Sequence, residues 1–206
     1  MATNRRAESG GRLVSHMREL ELRRHAMWNK DAGGFTPGAL TPQGQLDARS
    51  VGKTMRKDFV AIFFSPAQRA SETAAWFLRG SRQPPPATAI DVAGLASERE
   101  DEWRAAGQAA GSGRLDAMMA AAPALVAEES SRMAGVVRTL MDRISKGEAA
   151  LVVGHTPLLE AAVYGLTGVI IEPLEQCEGV NVTLDDAGDY RIQELRLPRA
   201  EPAPRG

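Results

Sequence analysis

The sequence predicts an α/β fold built on a largely parallel central sheet. Two continuous apolar runs of strand length, FVAIFF at 59–64 and AALVVG at 149–154, each stop abruptly at polar residues. Runs of this kind are typical of strands that are buried on both faces of a parallel sheet. A segment with helical character follows each run, and strands that alternate with helices favour the α/β class.

The first half of the chain adds a strand and two helices to this pattern. ELELRR at 19–24 predicts a strand, and its polar residues suggest that one face of it is exposed to solvent. A helix is predicted over 40–58, with Thr41 as its N-cap and Pro42 at its first position. A second helix is predicted over 68–78, directly after the first apolar run.

The second half of the chain is dominated by a long helix-prone segment. PPPATAIDVAG at 84–94 predicts a loop and then a short strand. The alanine-rich segment 98–146 is predicted to be helical with a break at Pro123, and part of it is a candidate lid. A short helix is predicted over 158–166. The segment 180–197 alternates on both sides of DAGD, which predicts a β-hairpin.

A single domain is expected over residues 18–198, with flexible ends at 1–17 and 199–206. The formal net charge of −1 gives no basic field for nucleic acid or for an anionic membrane. No apolar run approaches the roughly 20 residues of a membrane span. The single cysteine, Cys177, fits a reducing compartment, and the N-terminus lacks the apolar stretch of a secretory signal. We therefore expect a cytoplasmic protein, with its oligomeric state left open.

Three predicted strands end in polar residues of an unusual kind. The first ends in Arg24 and His25, the second is followed by Arg69, and the third ends in His155. In open α/β sheets, ligands bind outside the carboxyl ends of the strands. Two guanidinium groups offer planar forks of donors that match phosphate oxygens, and helix N-termini add backbone donors. The sequence therefore predicts a phosphate pocket with imidazoles inside it.

Four motifs together resemble the histidine phosphatase superfamily, in the branch related to phosphoglycerate mutase. They are RRHA at 23–26, LTPQGQLDA at 40–48, SPAQRASETA at 65–74 and VVGHTPLLE at 152–160. The motifs occur in the family's order and cover roughly residues 19 to 166. The resemblance implies a three-layer αβα sandwich with a mostly parallel central sheet and a small helical cap insertion.

The resemblance also implies a mechanism and a set of site residues. His25 matches the histidine that attacks phosphorus and becomes a phosphohistidine, which divides the transfer into two easier steps. Arg24 and Arg69 match the arginines that hold the phosphoryl oxygens. His155 matches the second histidine, which contacts the phosphate in its protonated form. Trp28 departs from the family's usual polar residue and is a candidate for the wall of the substrate pocket.

The proton donor for the leaving oxygen is expected in GLASEREDEW at 94–103. Four carboxyl groups are available there: Glu98, Glu100, Asp101 and Glu102. Glu98 matches the family's turn best and ranks first. Glu100 and Glu102 are its substitutes.

The sequence therefore predicts a phosphatase that needs no metal and no other cofactor. VGKT at 51–54 lacks the first glycine of a phosphate-binding loop, and HExxH is absent. A phosphorylated small molecule or a phosphoprotein is the expected substrate. Two alternatives stay open: a phosphatase that acts on phosphohistidine in proteins, and a non-catalytic relative that binds a phosphorylated ligand or a partner.

Overall fold

The computed structural model describes residues 17–29, 38–55, 58–86 and 88–198. The two ends that were predicted to be flexible lie outside these ranges, apart from Met17.

A sheet of six strands forms the centre of the described chain. The strands are β1 (Arg18–Arg24), β2 (Ala61–Phe64), β3 (Thr88–Asp91), β4 (Ala149–Gly154), β5 (Gly179–Leu184) and β6 (Tyr190–Leu195). Their order across the sheet is β3-β2-β4-β1-β5-β6. The pairs β3–β2, β2–β4 and β4–β1 are parallel, whereas β1–β5 and β5–β6 are antiparallel. The predicted α/β class and the C-terminal hairpin are confirmed.

Helices cover both faces of the sheet and make three layers. They are α1 (Pro42–Gly52), α2 (Gln68–Ser81), α3 (Glu100–Ala110), α4 (Leu115–Ala121), α5 (Pro123–Met141) and α6 (Leu158–Thr167), with a short 3-10 helix at Ala93–Leu95. Helices α1 and α2 pack in one buried apolar cluster, and α3 to α6 pack in the other. None of these described helices has the length and apolar character needed to cross a membrane.

Strand β1 corrects one expectation from the sequence. It lies between β4 and β5, and both of its faces are covered. Leu20 and Leu22 face the α5–α6 side, while Glu21 and Arg23 point to the opposite side and are only 5% and 6% exposed. Their charges meet in an ion pair of 2.7 Å, and Arg23 also donates to the carbonyl of Cys177. The predicted solvent-exposed face was wrong because the two polar side chains satisfy each other inside the protein.

The ends of several helices differ from those predicted. Thr41 caps α1 as expected, since its hydroxyl accepts from the backbone N–H of Gly44 at 3.0 Å. The helix ends at Gly52 instead of continuing to residue 58. The segment 98–146 forms three helices, and Pro123 begins α5 as its first residue. A proline at this position lacks only an N–H that would have had no partner within the helix.

Helices α1 and α2 cross closely because glycines stand at the crossing. A Cβ atom added at Gly80 would lie 2.1 Å from the carbonyl oxygen of Arg49, and one added at Gly52 would lie 2.2 Å from that of Phe77. In each case the obstacle is backbone, which cannot move aside like a flexible side chain. The packing of this layer therefore requires glycine at both positions.

We predict that Gly80→Ala lowers the free energy of unfolding by about 1–3 kcal/mol, because the methyl group forces the two helices apart. Gly135→Ala is the matched control, since Gly135 lies in α5 with nothing within 4 Å of an added Cβ. That change should raise stability by about 0.5–1 kcal/mol through helix propensity. Urea unfolding measures both. Equal effects of the two substitutions would contradict the close helix crossing.

Candidate active site

The carboxyl ends of β1, β2 and β4 meet, and backbone hydrogen bonds continue beyond the strands. The N–H of His25 donates to the carbonyl of Gly154 at 3.1 Å, and that of Ser65 donates to Val153 at 3.0 Å. The sheet ladder thus fixes the first residue after β1 and the first after β2 against β4. His155 follows β4 directly, so the three polar stops of the sequence converge as predicted.

His25 is held in one defined tautomer. Its Nδ1 donates to the backbone carbonyl of Ala26 at 2.8 Å, since a carbonyl oxygen can only accept. Its Nε2 accepts from Nε of Arg69 at 3.3 Å, since a guanidinium can only donate. The lone pair of the neutral imidazole is therefore on Nε2.

The surroundings of His25 keep the ring neutral. The pKa of His25 is lowered from 6.5 to about 3, chiefly by burial and to a smaller extent by the charges of Arg69 and Arg24. The hydrogen bond to Ala26 acts in the opposite direction but is smaller than the effect of burial. At neutral pH the ring therefore keeps an unprotonated nitrogen that can act as a nucleophile.

Arg69, in the first turn of α2, connects the two histidines. Besides its bond to His25, its Nη2 donates to Nδ1 of His155 at 3.3 Å. Its guanidinium carbon lies 4.5 Å from the centroid of the Trp28 ring, which is the geometry of a cation–π contact. Thr73 anchors this turn, because its hydroxyl accepts from the N–H of Ala26 and donates to the carbonyl of Arg69.

His155 is also neutral in the structure. Arg69 donates to its Nδ1, so the proton of the neutral ring is on Nε2, which lies 2.5 Å from the hydroxyl oxygen of Ser65. Burial lowers the pKa of His155 well below its usual value, and His25, Arg69 and Arg24 lower it further. The centroids of the two imidazole rings lie 5.0 Å apart.

Arg24 is placed by a backbone carbonyl. Its Nη1 donates to Leu174 at 2.6 Å, while its Nε has no partner among the described residues. The side chain is partly buried and lines the same cavity as the two histidines. Arg24 and Arg69 therefore present two guanidinium groups to one space.

The four carboxyl groups after β3 differ in where they point. Glu98 and Glu100 are both exposed, but only Glu100 belongs to the cavity wall, where it lies 3.9 Å from Arg104 in a long ion pair. Asp101 and Glu102 are engaged in ion pairs of 2.7 Å with Arg104 and Arg99. Burial raises the pKa of Glu100 above its usual value, while the charge of Arg69 opposes the rise. Glu100, one of the two substitutes in the sequence ranking, thus lies on the cavity wall where Glu98 was expected.

The cavity has a volume of about 440 Å³ and a largely apolar wall beyond the polar end. Its lining includes both tryptophans near the site, with proline, alanine and leucine: Trp28, Pro66, Ala67, Ala96, Trp103, Pro157 and Leu158. Buried Glu129 of α5 accepts hydrogen bonds from Ser97 at 2.6 Å and from Trp103 at 3.4 Å. Helix α5 therefore fixes the part of the wall that α3 contributes.

Several residues of the site were not identified from the sequence. Ser65 and Thr73 lie within the third motif, and their hydroxyl groups next to Arg69 were the available signal. Glu129 gave no signal, because its partners come from other elements. No group of three or more His, Cys, Asp or Glu side chains within residues 17–29, 38–55, 58–86 and 88–198 could hold a metal ion.

The profile of the histidine phosphatase superfamily (branch 1) matches residues 20–186. The chain belongs to this superfamily, whose members are phosphatases and mutases. The match covers all four motifs and every residue of the cavity named above. No curated protein gives a significant sequence match.

Solved structures support the same fold. A phosphoglycerate mutase from Bacillus anthracis is 20% identical with a TM-score of 0.65, covering 88% of this chain and 93% of its own. A phosphoserine phosphatase from Entamoeba histolytica is 16% identical with a TM-score of 0.60, covering 87% and 98%. The protein histidine phosphatase SixA, complexed with tungstate, is 17% identical with a TM-score of 0.58, covering 86% and 96%. The fold is therefore that of the phosphoglycerate mutase-like proteins.

We predict that the ring signals of His25 stay constant between about pH 5 and pH 8 and report a proton on Nδ1, because its pKa lies near 3. The unfolded chain takes up this proton near its usual pKa of 6.5. Stability should therefore fall as pH drops from about 6.5 toward 3, and it should not depend on His25 above that range. Nitrogen-15 correlation spectra of the imidazoles measure the titration. A midpoint close to 6.5 would contradict the buried neutral ring.

Proposed function

We propose that the protein is a metal-independent phosphatase that hydrolyses a phosphomonoester through a phosphohistidine on His25. The observation that carries the proposal is the Nε2 lone pair of a buried, neutral His25 beside two guanidinium groups. A neutral imidazole is a nucleophile, and paired guanidinium groups stabilise the charge of a phosphoryl group in transfer. Arg24, Arg69 and His155 form the phosphoryl subsite in this proposal.

The first chemical step forms a phosphorus–nitrogen bond and breaks the ester bond. Nε2 of His25 attacks phosphorus while the leaving oxygen takes a proton from the Glu100 carboxyl. Arg69 transfers its hydrogen bond from Nε2 to a phosphoryl oxygen as the substrate binds. In the second step water attacks phosphorus, Glu100 accepts a proton from that water, and the phosphorus–nitrogen bond breaks. Inorganic phosphate leaves, and both side chains return to their starting states.

Glu100 is the preferred proton donor, in place of Glu98. Its position on the cavity wall and the raised pKa of its carboxyl both favour a proton that is available at mildly acidic pH. A general acid is needed most where the leaving group is a poor one, as in an alkyl phosphate. The presence of a general acid on the cavity wall therefore favours phosphomonoesters over phosphoramidates, whose leaving nitrogen depends less on an acid.

Phosphohistidine in a protein is the second candidate substrate. The fold likeness to a protein histidine phosphatase supports it, together with the short RHA motif at 24–26.

Mutase activity has less support. Among the described residues of the cavity wall, Arg24 and Arg69 are the only lysines or arginines, and Arg104 lies beyond Glu100 in an adjoining pocket. The intact set of His25, His155 and the two arginines argues against a non-catalytic binding protein. The proposal retains a cytoplasmic location and a phosphorylated small molecule or phosphoprotein as partner.

We predict that the wild-type protein hydrolyses p-nitrophenyl phosphate in excess EDTA and that His25→Ala reduces the rate to background. The substitution removes Nε2 of His25, the nitrogen that attacks phosphorus in the proposed mechanism. His16→Ala, which changes the remaining histidine of the sequence, is the matched control and should leave the rate unchanged. Equal turnover by wild type and His25→Ala would exclude His25 as the nucleophile. Loss of wild-type activity in EDTA, restored by a metal, would exclude the metal-independent mechanism.

Separate substitutions of two carboxyl groups should identify the general acid. Glu100→Gln should lower kcat/KM on an alkyl phosphate by about 10²–10⁴-fold, since the leaving oxygen then has no proton donor. The loss should be smaller on p-nitrophenyl phosphate and smallest on a phosphoramidate, because these leaving groups depend less on the acid. Glu98→Gln is the matched control and should behave like wild type. The reverse pattern for the two residues would restore Glu98 to the role.

A further inference from the structure

Glu160 is a buried carboxyl group that the proposed mechanism does not use. It is the last residue of the VVGHTPLLE motif, lies in α6 and is 2% exposed. Its Oε1 accepts from the backbone N–H of Leu174 at 2.8 Å, whereas its Oε2 has no partner among the described residues. Burial of a carboxyl group costs free energy of desolvation, which an apolar residue in the same space would not incur. The presence of Glu160 here therefore calls for a structural or functional explanation.

The partner of Glu160 is also the residue that holds Arg24. The carbonyl of Leu174 accepts from Nη1 of Arg24 at 2.6 Å. Leu174 lies outside the helices and strands, in the connection between α6 and β5, so regular structure does not fix its backbone. Arg196 binds the two preceding carbonyls, at 2.9 Å to Pro173 and 2.7 Å to Glu172. The N–H of Leu174 itself is held by Glu160.

We propose that Glu160 is a positioning residue for Arg24, acting through the backbone of Leu174. The carboxyl oxygen fixes the Leu174 N–H, this fixes the orientation of the Leu174 carbonyl, and the carbonyl aligns the guanidinium of Arg24 toward the cavity. The inference rests on the proposed function, in which Arg24 holds a phosphoryl group. A guanidinium binds phosphate oxygens through directed N–H groups, so its orientation affects the affinity for phosphate.

The electrostatics of Glu160 agree with this geometry. The pKa of Glu160 is raised to about 7, because the effect of burial exceeds the opposing effects of the hydrogen bond from Leu174 and the charge of Arg24. Arg24 is thus close enough to interact with the carboxyl group in addition to the connection through Leu174. The acceptor at Oε1 is present whether the carboxyl is ionised or neutral, so the positioning does not depend on the charge.

The test separates the acceptor from the charge by measuring the binding of inorganic phosphate by calorimetry. Glu160→Gln keeps an oxygen at the same reach and should bind phosphate within about twofold of wild type. Glu160→Asp keeps the charge but is one methylene shorter and loses the hydrogen bond to Leu174. It should weaken phosphate binding about tenfold, as expected for a lost hydrogen bond to a buried group.

A double-mutant cycle tests whether the effect passes through Arg24. In an Arg24→Ala background, Glu160→Asp should cause no further loss of phosphate affinity, because the group that it positions is gone. Val163→Ala, at a fully buried apolar residue of the same helix, controls for general loosening and should lower the melting temperature without this change in affinity. Should Glu160→Asp fail to fold, Glu160→Leu removes the same acceptor and replaces it in the cycle.

The outcomes distinguish this inference from the proposed function. If wild type does not bind phosphate, the proposed phosphoryl subsite is wrong and the role of Glu160 falls with it. If wild type binds phosphate and Glu160→Asp binds equally well, only the role of Glu160 is wrong. If Glu160→Gln loses as much affinity as Glu160→Asp, an oxygen acceptor at this reach is not sufficient to hold Arg24, and the positioning role is likewise overturned.

Discussion

The buried ion pair between Glu21 and Arg23 allows a polar strand to occupy the centre of the sheet. A single buried charge without a partner costs several kcal/mol, so neither residue could lie there alone. Paired at 2.7 Å, they let β1 lie between β4 and β5 with both faces covered. The position of His25 depends on this placement, because its N–H continues the ladder onto Gly154 at the end of β4. The site is thus assembled at the end of a central strand whose two buried charges are paired with each other.

The protonation of the two histidines is set by their surroundings, with burial as the largest cause. With the protein alone, burial and the arginine charges lower the pKa of both imidazoles. The resemblance to the family implied a protonated His155 in contact with phosphate. A phosphate group between the arginines would oppose their charge and raise the pKa of His155, so the protonated form in contact with phosphate stays a prediction. His25 has to remain neutral in the proposed mechanism, because only an unprotonated Nε2 has the lone pair that attacks phosphorus.

Much of this arrangement could be predicted from the sequence, because apolar runs with polar stops report strand ends directly. Arg24, His25, Arg69 and His155 were found in this way, and the structure brings them together. The burial of Glu21 could not be predicted, since the same alternating pattern is typical of a strand with one face exposed to solvent. The hydrogen bond from Arg24 to Leu174 could not be predicted either. Its acceptor is a backbone carbonyl in an irregular segment, so the identity of the side chain at position 174 does not indicate it.

The choice between Glu98 and Glu100 depends on where α3 begins. Arg99 is the N-cap residue, and its guanidinium binds Glu102 and Glu128, which fixes the turn. In that register Glu100 enters the first helical turn facing the cavity, and Trp103 follows one turn later on the same face. In the proposed function, helix α3 would therefore supply both the acid and an apolar wall for the leaving group, while the strand ends would supply the phosphoryl subsite. In the proposed function, a change in α3 would alter the accepted leaving group without altering how the phosphoryl group is transferred.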